Sequence, residues 1–312
     1  MPVNVYFAAG AADWRDYEPH LATALAEAGV NATVLRDVSY PAAVDYIVTA
    51  PNGEVTDFSP FTRCKLVQNL WAGVERITGN ATLTQPLARM VDPGMTESMV
   101  EWVVGHTLRH HLGMDAHILG QDGIWRNGIT PPIARERPVA VLGLGELGRA
   151  AGAALAALNF PVIGWSRSPK AIAGIECHSG EDGLRAVLSR AEVVILLMPF
   201  TPETENLLNA ARLALLPQGA VILNPGRGPL IDDAALLVAL DAGRLGHATL
   251  DVFRNEPLPP AHPFWSHPKI TVTPHIAAST RPVTAARVVA ENIRRGEAGA
   301  PFLHLVDRTR GY

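Results

Sequence analysis

Three side chains suited to carbonyl chemistry follow strand-like segments in the second half of the chain. Arg227 stands in Asn224-Pro225-Gly226-Arg227-Gly228, Glu256 in Asp251-Val252-Phe253-Arg254-Asn255-Glu256-Pro257, and His275 in Thr273-Pro274-His275-Ile276-Ala277-Ala278. A planar guanidinium grips a carboxylate and a neighbouring keto oxygen together, and it stabilises negative charge developing on that oxygen. An imidazole is the natural proton donor near neutral pH, and a carboxylate beside it favours the protonated ring. The set matches reduction of a ketone that carries a carboxylate: His275 gives the proton, Glu256 orients the ring, and Arg227 anchors and polarises the substrate. A plainer reading stands beside it, with His275 structural, Asp251 and Glu256 as caps and Arg227 in a surface ion pair. What favours chemistry is the conjunction, three suitable groups each placed after a strand end, where an open α/β sheet binds its ligands.

Such a reduction needs a hydride donor, which is a cofactor's task. Gly143-Leu144-Gly145-Glu146-Leu147-Gly148 matches G-x-G-x-x-G, follows the apolar run 139–142 and opens the helix-forming stretch 149–158. In that context Gly143 makes the tight turn, Gly145 lets the backbone approach a pyrophosphate and Gly148 allows close helix–strand contact, while the helix start offers free N–H groups to the anion. The alternative is a glycine-rich turn with no ligand. An NAD enzyme places Asp or Glu at the end of the next strand. Here strand 161–165 ends instead in Ser166-Arg167-Ser168-Pro169-Lys170. Two cations and two hydroxyls suit a 2′-phosphate, so NADP(H) is expected to be preferred, with NAD(H) usable; a polar loop tolerating both equally is the alternative. Leu197-Met198-Pro199, Asn224-Pro225-Gly226, Asp251, His275 and Ala277-Ala278 close further strands and complete the expected cofactor contacts.

The elements that must position these groups are readable as a pattern. Apolar strand-length runs at 139–142, 162–165, 193–197, 220–224, 248–252 and 270–273, with helical stretches between them, predict a doubly wound parallel sheet over residues 97–282. The first ninety residues alternate strands at 3–8, 46–49 and 66–70 with a helix over 17–28 closed by Gly29, a smaller α/β unit. One long helix is expected from 96 to about 119, a linker over 129–138, and a terminal helix over 284–295 that packs back on the first unit. The domains then run 1–96 plus 283–312 for substrate binding and 97–282 for the dinucleotide. The fold class is α/β, with a parallel sheet in each domain. The strand at 66–70 runs into Trp71-Ala72-Gly73-Val74-Glu75, whose small residues leave backbone N–H groups open. This is either a nest for a carboxylate or an ordinary βα turn.

Composition narrows the function classes. Hydrophobic residues make up 48% and charged residues 18% of 312, enough for large cores, and a net charge of −4 without a Lys/Arg run argues against a nucleic-acid partner. Only Cys64 and Cys177 occur, in no metal-ligand or disulfide pattern, which fits a reducing cytoplasm. The N-terminus reads as a strand rather than a signal peptide, and no apolar run is long enough for a bilayer. His106, His110, His111 and His117 fall close together, yet no H-E-x-x-H-like acidic motif accompanies them, so no metal is expected and they read as solvated or core-edge residues.

At GLGELG, NPGRG, DVFRNEPLP and TPHIAA, in that order, the chain resembles the D-isomer-specific 2-hydroxyacid dehydrogenases over essentially its whole length. WSRS, PHIAASTRP and the terminal DRTRGY are similar to the glyoxylate/hydroxypyruvate-reducing branch of that family. The resemblance implies two Rossmann-like domains with an active-site cleft between them, catalytic roles for Arg227, Glu256 and His275, and a substrate carboxylate held by backbone groups of Ala72, Gly73 and Val74 beside Trp71. It also implies a homodimer formed through the nucleotide domain, with Trp125 where related reductases carry a tryptophan that reaches a partner's site. Pro225-Gly226 departs from the Ala or Ser that many members carry before the arginine. Two rivals remain at this point. One is another dehydrogenase of the same fold, of phosphoglycerate or formate type. The other is a dinucleotide-sensing binding protein.

Overall fold

A computed structural model describes residues 2–125, 127–128 and 130–308. The chain divides into two compact units, residues 1–95 with 279–312, and residues 96–278.

The first unit is built on a five-stranded parallel sheet in the order β2-β1-β3-β4-β5, from β1 (Val3–Phe7), β2 (Ala32–Leu35), β3 (Tyr46–Thr49), β4 (Leu66–Asn69) and β5 (Leu87–Ala88). Both faces are covered. Val5, Phe7, Tyr46 and Val48 point into one core with helices α1 (Ala11–Glu27) and α8 (Pro282–Glu297), while Tyr6, Ala8, Ile47 and Val67 point into the other. Burial on both sides explains the apolar Tyr46-Ile47-Val48 of the central strand β3. Helix α8 lays Ala285, Ala286, Val289, Ala290 and Ile293 on the same core as Tyr17, Leu21, Ala24 and Leu25 of α1, a helical stripe at the spacing a buried face requires.

The second unit holds a seven-stranded sheet in the order β12-β11-β10-β9-β6-β7-β8, every pairing parallel. Its strands are β6 (Val139–Leu142), β7 (Val162–Ser166), β8 (Ile175–Ser179), β9 (Val193–Leu196), β10 (Ala220–Asn224), β11 (Leu245–Leu250) and β12 (Ile270–Val272). The chain starts at the centre with β6, winds out through β7 and β8, then returns to wind the other way from β9, so the order reverses between β6 and β9. Val139, Val141, Val193 and Ile195 face one core, and Ala140, Leu142, Val194 and Leu196 face the other. Helix α4 (Glu146–Ala157) packs close because its inner stripe is Gly148, Ala151, Gly152 and Leu155. Helices α5 (Gly180–Leu188), α6 (Ala210–Leu213) and α7 (Asp233–Asp241) lie in the β8–β9, β9–β10 and β10–β11 connections.

Some elements differ from the sequence pattern. The long helix begins earlier and is interrupted, α2 covering Pro93–His111 and α3 Met114–Leu119, with Gly113 at φ 63° between them. A left-handed glycine ends a helix cleanly. Strands β2, β5 and β8 give little pattern: β2 is four partly exposed residues, β5 has two, and β8 is a sheet edge that carries Glu176, His178 and Ser179. Among the described residues no helix is long and apolar enough to cross a membrane.

Candidate active site

Arg227, Glu256 and His275 follow β10, β11 and β12, three neighbouring strands whose carboxyl ends lie side by side. Each loop is fixed by its own polar residue. After β10, the buried Asn224 side chain donates to the Arg227 carbonyl (2.9 Å) and accepts from the Gly226 N–H (3.1 Å), which sets the backbone from which Arg227 projects. The Arg227 Nη1 donates to the Gly226 carbonyl at 2.7 Å.

After β11, Asp251 is 1% exposed and organises the neighbouring loop. Its carboxylate accepts from Thr273 Oγ1 (2.6 Å) and from the N–H groups of Ile276 (2.9 Å) and Ala277 (3.0 Å), and its carbonyl accepts the His275 N–H at 2.8 Å. These bonds hold His275 at φ 55°, a left-handed backbone that a non-glycine residue adopts only when its surroundings dictate it. Glu256 completes the arrangement. Its Oε1 accepts the Phe253 N–H (2.8 Å) and its Oε2 lies 2.7 Å from His275 Nδ1. With Nδ1 on the carboxylate, Nε2 is the ring nitrogen left for a ligand. The imidazole side chain is 51% exposed.

The loops after β10 and β11 also touch directly. A Cβ on Gly228 would stand 2.1 Å from the Phe253 carbonyl carbon and 2.5 Å from Arg254 N, so only hydrogen fits there. Arg254 ties the same loops from outside, donating to Ile231 O (2.6 Å) and Asn206 Oδ1, with Asp233 and Glu205 carboxylates each at 3.6 Å. Sequence reasoning missed this clamp. An arginine between two loop residues carries no periodic signal.

The glycine-rich loop lies at the reversal of strand order. Gly143 has φ 105°, and a Cβ there would meet Leu197 O at 2.5 Å, so the loop after β6 rests on the one after β9. A Cβ on Gly148 would stand 1.8 Å from Gly143 O, whereas around Gly145 nothing lies within 4 Å of the Cβ position. Gly145 caps α4, a helix start with Glu146 in its first turn and Leu147 against the core. Beyond β7, Ser166 Oγ donates to Ser168 O (2.8 Å), shaping the turn that carries Arg167, and Lys170 Nζ donates to Leu144 O (2.6 Å). Leu144, Gly145, Glu146, Arg149, Lys170 and Ala171 line a pocket here. Met198 is buried beneath the loop, Pro199 O accepts from Thr204 Oγ1 (2.9 Å), Pro225 is buried, and Ala277 and Ala278 pack on the core under β6. In the first unit, Trp71 is exposed and Ala72, Gly73 and Val74 form the turn after β4.

Three of the four clustered histidines are engaged in packing, and His117 is exposed. His106 lies against Trp102, His111 against Phe160, and His110 bonds Thr249 Oγ1 (2.9 Å) with its ring 4.9 Å from that of His247. Arg109 is bidentate to Asp115 at 2.7 and 2.9 Å and reaches Thr271. Burial, then the neighbouring His247 and Arg109, pull the His110 imidazole down to about 3. Burial, then Arg109, pull His247 to about 4. Both stay neutral in the folded chain, while unfolded imidazoles take up protons near pH ~6.5. Their contribution is therefore complete above that value and is lost as pH falls through the interval towards 4, by about 1–2 kcal/mol per histidine at pH ~5. Melting temperatures recorded across this range should fall with acid, and more gently in the His110→Asn/His247→Asn variant. Parallel curves for the two proteins would remove the histidines as the cause.

Comparison with known proteins places the chain in a family. Residues 103–277 match the family model described as D-isomer specific 2-hydroxyacid dehydrogenase, NAD binding domain. The chain belongs to the D-isomer specific 2-hydroxyacid dehydrogenase family. Among curated relatives, it is 40% identical over 250 residues to glyoxylate/hydroxypyruvate reductase A of Yersinia enterocolitica, covering 78% of this chain and 80% of the relative. A D-isomer specific 2-hydroxyacid dehydrogenase from Xanthobacter autotrophicus Py2, solved in complex with NADPH and MES, superposes with a TM-score of 0.92 at 39% identity, covering 100% of both chains. The NADPH-dependent glyoxylate/hydroxypyruvate reductase from Sinorhizobium meliloti, solved with NADP and sulfate, gives a TM-score of 0.85 at 35% identity over 99% of this chain and 100% of that one.

Proposed function

We propose that this chain is an NADPH-preferring reductase that converts a small 2-keto acid, glyoxylate or hydroxypyruvate, into the 2-hydroxy acid. The observation that carries the reading is the His275–Glu256 contact at 2.7 Å, built on the strand end beside the one that bears Arg227. The names and bound cofactors of the relatives support the same substrate class and the same dinucleotide.

The cofactor loop fits the dinucleotide. Gly145 leaves space for a pyrophosphate to meet backbone N–H groups, and the second strand ends in Ser166, Arg167, Ser168 and Lys170 with no carboxylate. When bound, the reduced nicotinamide supplies the hydride. His275 passes the Nε2 proton to the carbonyl oxygen while Glu256 holds Nδ1 and fixes the ring. Arg227 pairs with the substrate carboxylate and stabilises charge growing on the reacting oxygen. In the first unit, the N–H groups of Ala72, Gly73 and Val74 receive the carboxylate, with Trp71 beside it.

Consumption of NADPH by glyoxylate and by hydroxypyruvate tests the whole reading. Tight NADPH binding without turnover at high protein concentration would instead indicate a dinucleotide sensor. Arg167→Asp is expected to reverse the cofactor ratio, since an aspartate repels the 2′-phosphate and accepts from a ribose hydroxyl. An unchanged ratio of kcat/KM values for NADPH and NADH would dismiss Arg167 from that role. The reading extends to a cytoplasmic homodimer. Exposed Leu112, Met114, Ile118, Leu119, Ile124, Trp125 and Ile133 all fall within residues 112–133 of the nucleotide unit, and such side chains suit burial against a second copy. Sedimentation as a monomer at micromolar concentration would contradict that assembly.

A further inference from the structure

We propose that Asn69 is the positioning residue of the substrate-carboxylate loop, turning the N–H groups of Ala72 and Val74 outward by drawing the carbonyls of Trp71 and Gly73 inward. The inference rests on the reading of that loop given above. Asn69 ends β4 and is fully buried. Its single Nδ2 donates twice, to Trp71 O at 2.7 Å and to Gly73 O at 3.0 Å. Trp71 O also accepts the Met90 N–H at 3.0 Å, and Leu70 O accepts from Thr280 Oγ1 at 3.1 Å. Carbonyls of the loop are thus gathered by donors of the protein.

The consequence follows from peptide geometry. In a trans peptide the N–H points opposite to the C=O of the same plane. The plane whose oxygen is Trp71 O carries the Ala72 N–H, and the plane of Gly73 O carries the Val74 N–H. Both N–H groups therefore point away from the Asn69 amide. Among the described residues, no acceptor takes the N–H of Ala72, Gly73 or Val74. Unpaired N–H groups converging from one short turn form a concavity for an anion.

The amide itself shows what the position requires. Asn69 Oδ1 is buried with no hydrogen-bond partner. A buried acceptor left unmade is unfavourable and calls for a reason. The reason is the donor pair: serine and threonine bring one hydroxyl hydrogen, aspartate brings none, and asparagine brings two on one nitrogen. The neighbouring Gln68 is no substitute, since its amide donates to Asn69 O and Ala88 O.

The test compares Asn69→Asp and Asn69→Ser with the natural protein. It reads kcat and KM for glyoxylate, the Kd of NADPH by fluorescence, and the binding of oxalate by calorimetry, which needs no turnover. In Asn69→Asp, KM and the oxalate Kd should each rise by about 10-fold or more as two donors are replaced by a repelling carboxylate. The kcat and the NADPH Kd should stay near their natural values, because Arg227, Glu256, His275 and the cofactor loop are untouched. Asn69→Ser, which keeps one donor, should fall between, and it carries the test if Asn69→Asp does not fold. Unchanged KM and oxalate affinity overturn the proposal. So does a parallel loss of kcat, KM and NADPH binding, the mark of a general packing defect. A natural protein that binds oxalate, weakly so in the variants, yet reduces no keto acid would sink the reductase reading while leaving this one standing.

Discussion

His275→Gln is expected to lower kcat by roughly 10²–10⁴-fold, the usual cost of losing a positioned general acid, while KM for the keto acid changes only a few-fold. Glutamine keeps a polar side chain near Glu256 but has no proton to transfer. The substitution should leave the loop in place, because His275 is held through its backbone N–H to Asp251 O rather than through the ring alone. Glu256→Gln is the informative companion. It keeps the shape and the Phe253 N–H contact but loses the charge that orients the imidazole, so its kcat should lie between those of the natural protein and His275→Gln. Steady-state kinetics with glyoxylate at saturating NADPH decide the matter, and an unaffected kcat in His275→Gln would take the proton-donor role from this residue.

Arg227→Ala should cost roughly 10²–10⁴-fold in kcat/KM, the equivalent of two charge-assisted hydrogen bonds. The loss should be shared between a raised KM and a lowered kcat, because in the proposed mechanism the guanidinium serves both the carboxylate of the bound substrate and the oxygen that gains charge during reaction. Arg227→Lys should recover only part of it. A point charge on a flexible stem does not reproduce a fork that reaches two oxygens at once, least of all from a backbone fixed by Asn224. A change confined to KM would mean that Arg227 binds substrate without assisting the chemistry.

Much of this arrangement was legible in the sequence. The central strands were, because burial on both faces forces runs such as 139–142 and 193–196 to be apolar throughout. The glycine loop was, because each glycine answers to a contact that a side chain would obstruct or to an approach it would block. The His275–Glu256 contact was expected from chemistry, and strand order brings the two loops together. Edge strands β2 and β8 were not legible, since β2 is only four partly exposed residues and β8 mixes Glu176, His178 and Ser179 into its pattern. Nor were Asn69, Asp251 as organiser of the 273–277 turn, and the Arg254 clamp. Their roles lie in hydrogen bonds to backbone atoms, and a backbone atom leaves no letter in the sequence.

The absent side chain at Gly228 has a practical corollary for anyone reshaping this protein. The segment bearing the guanidinium and the segment bearing the carboxylate lie backbone against backbone, so inserting or deleting a residue in either would shift the other. Altered substrate scope is therefore better sought through exchanges at fixed loop length, or on the Trp71 side of the chain, than by grafting longer loops onto these two strand ends.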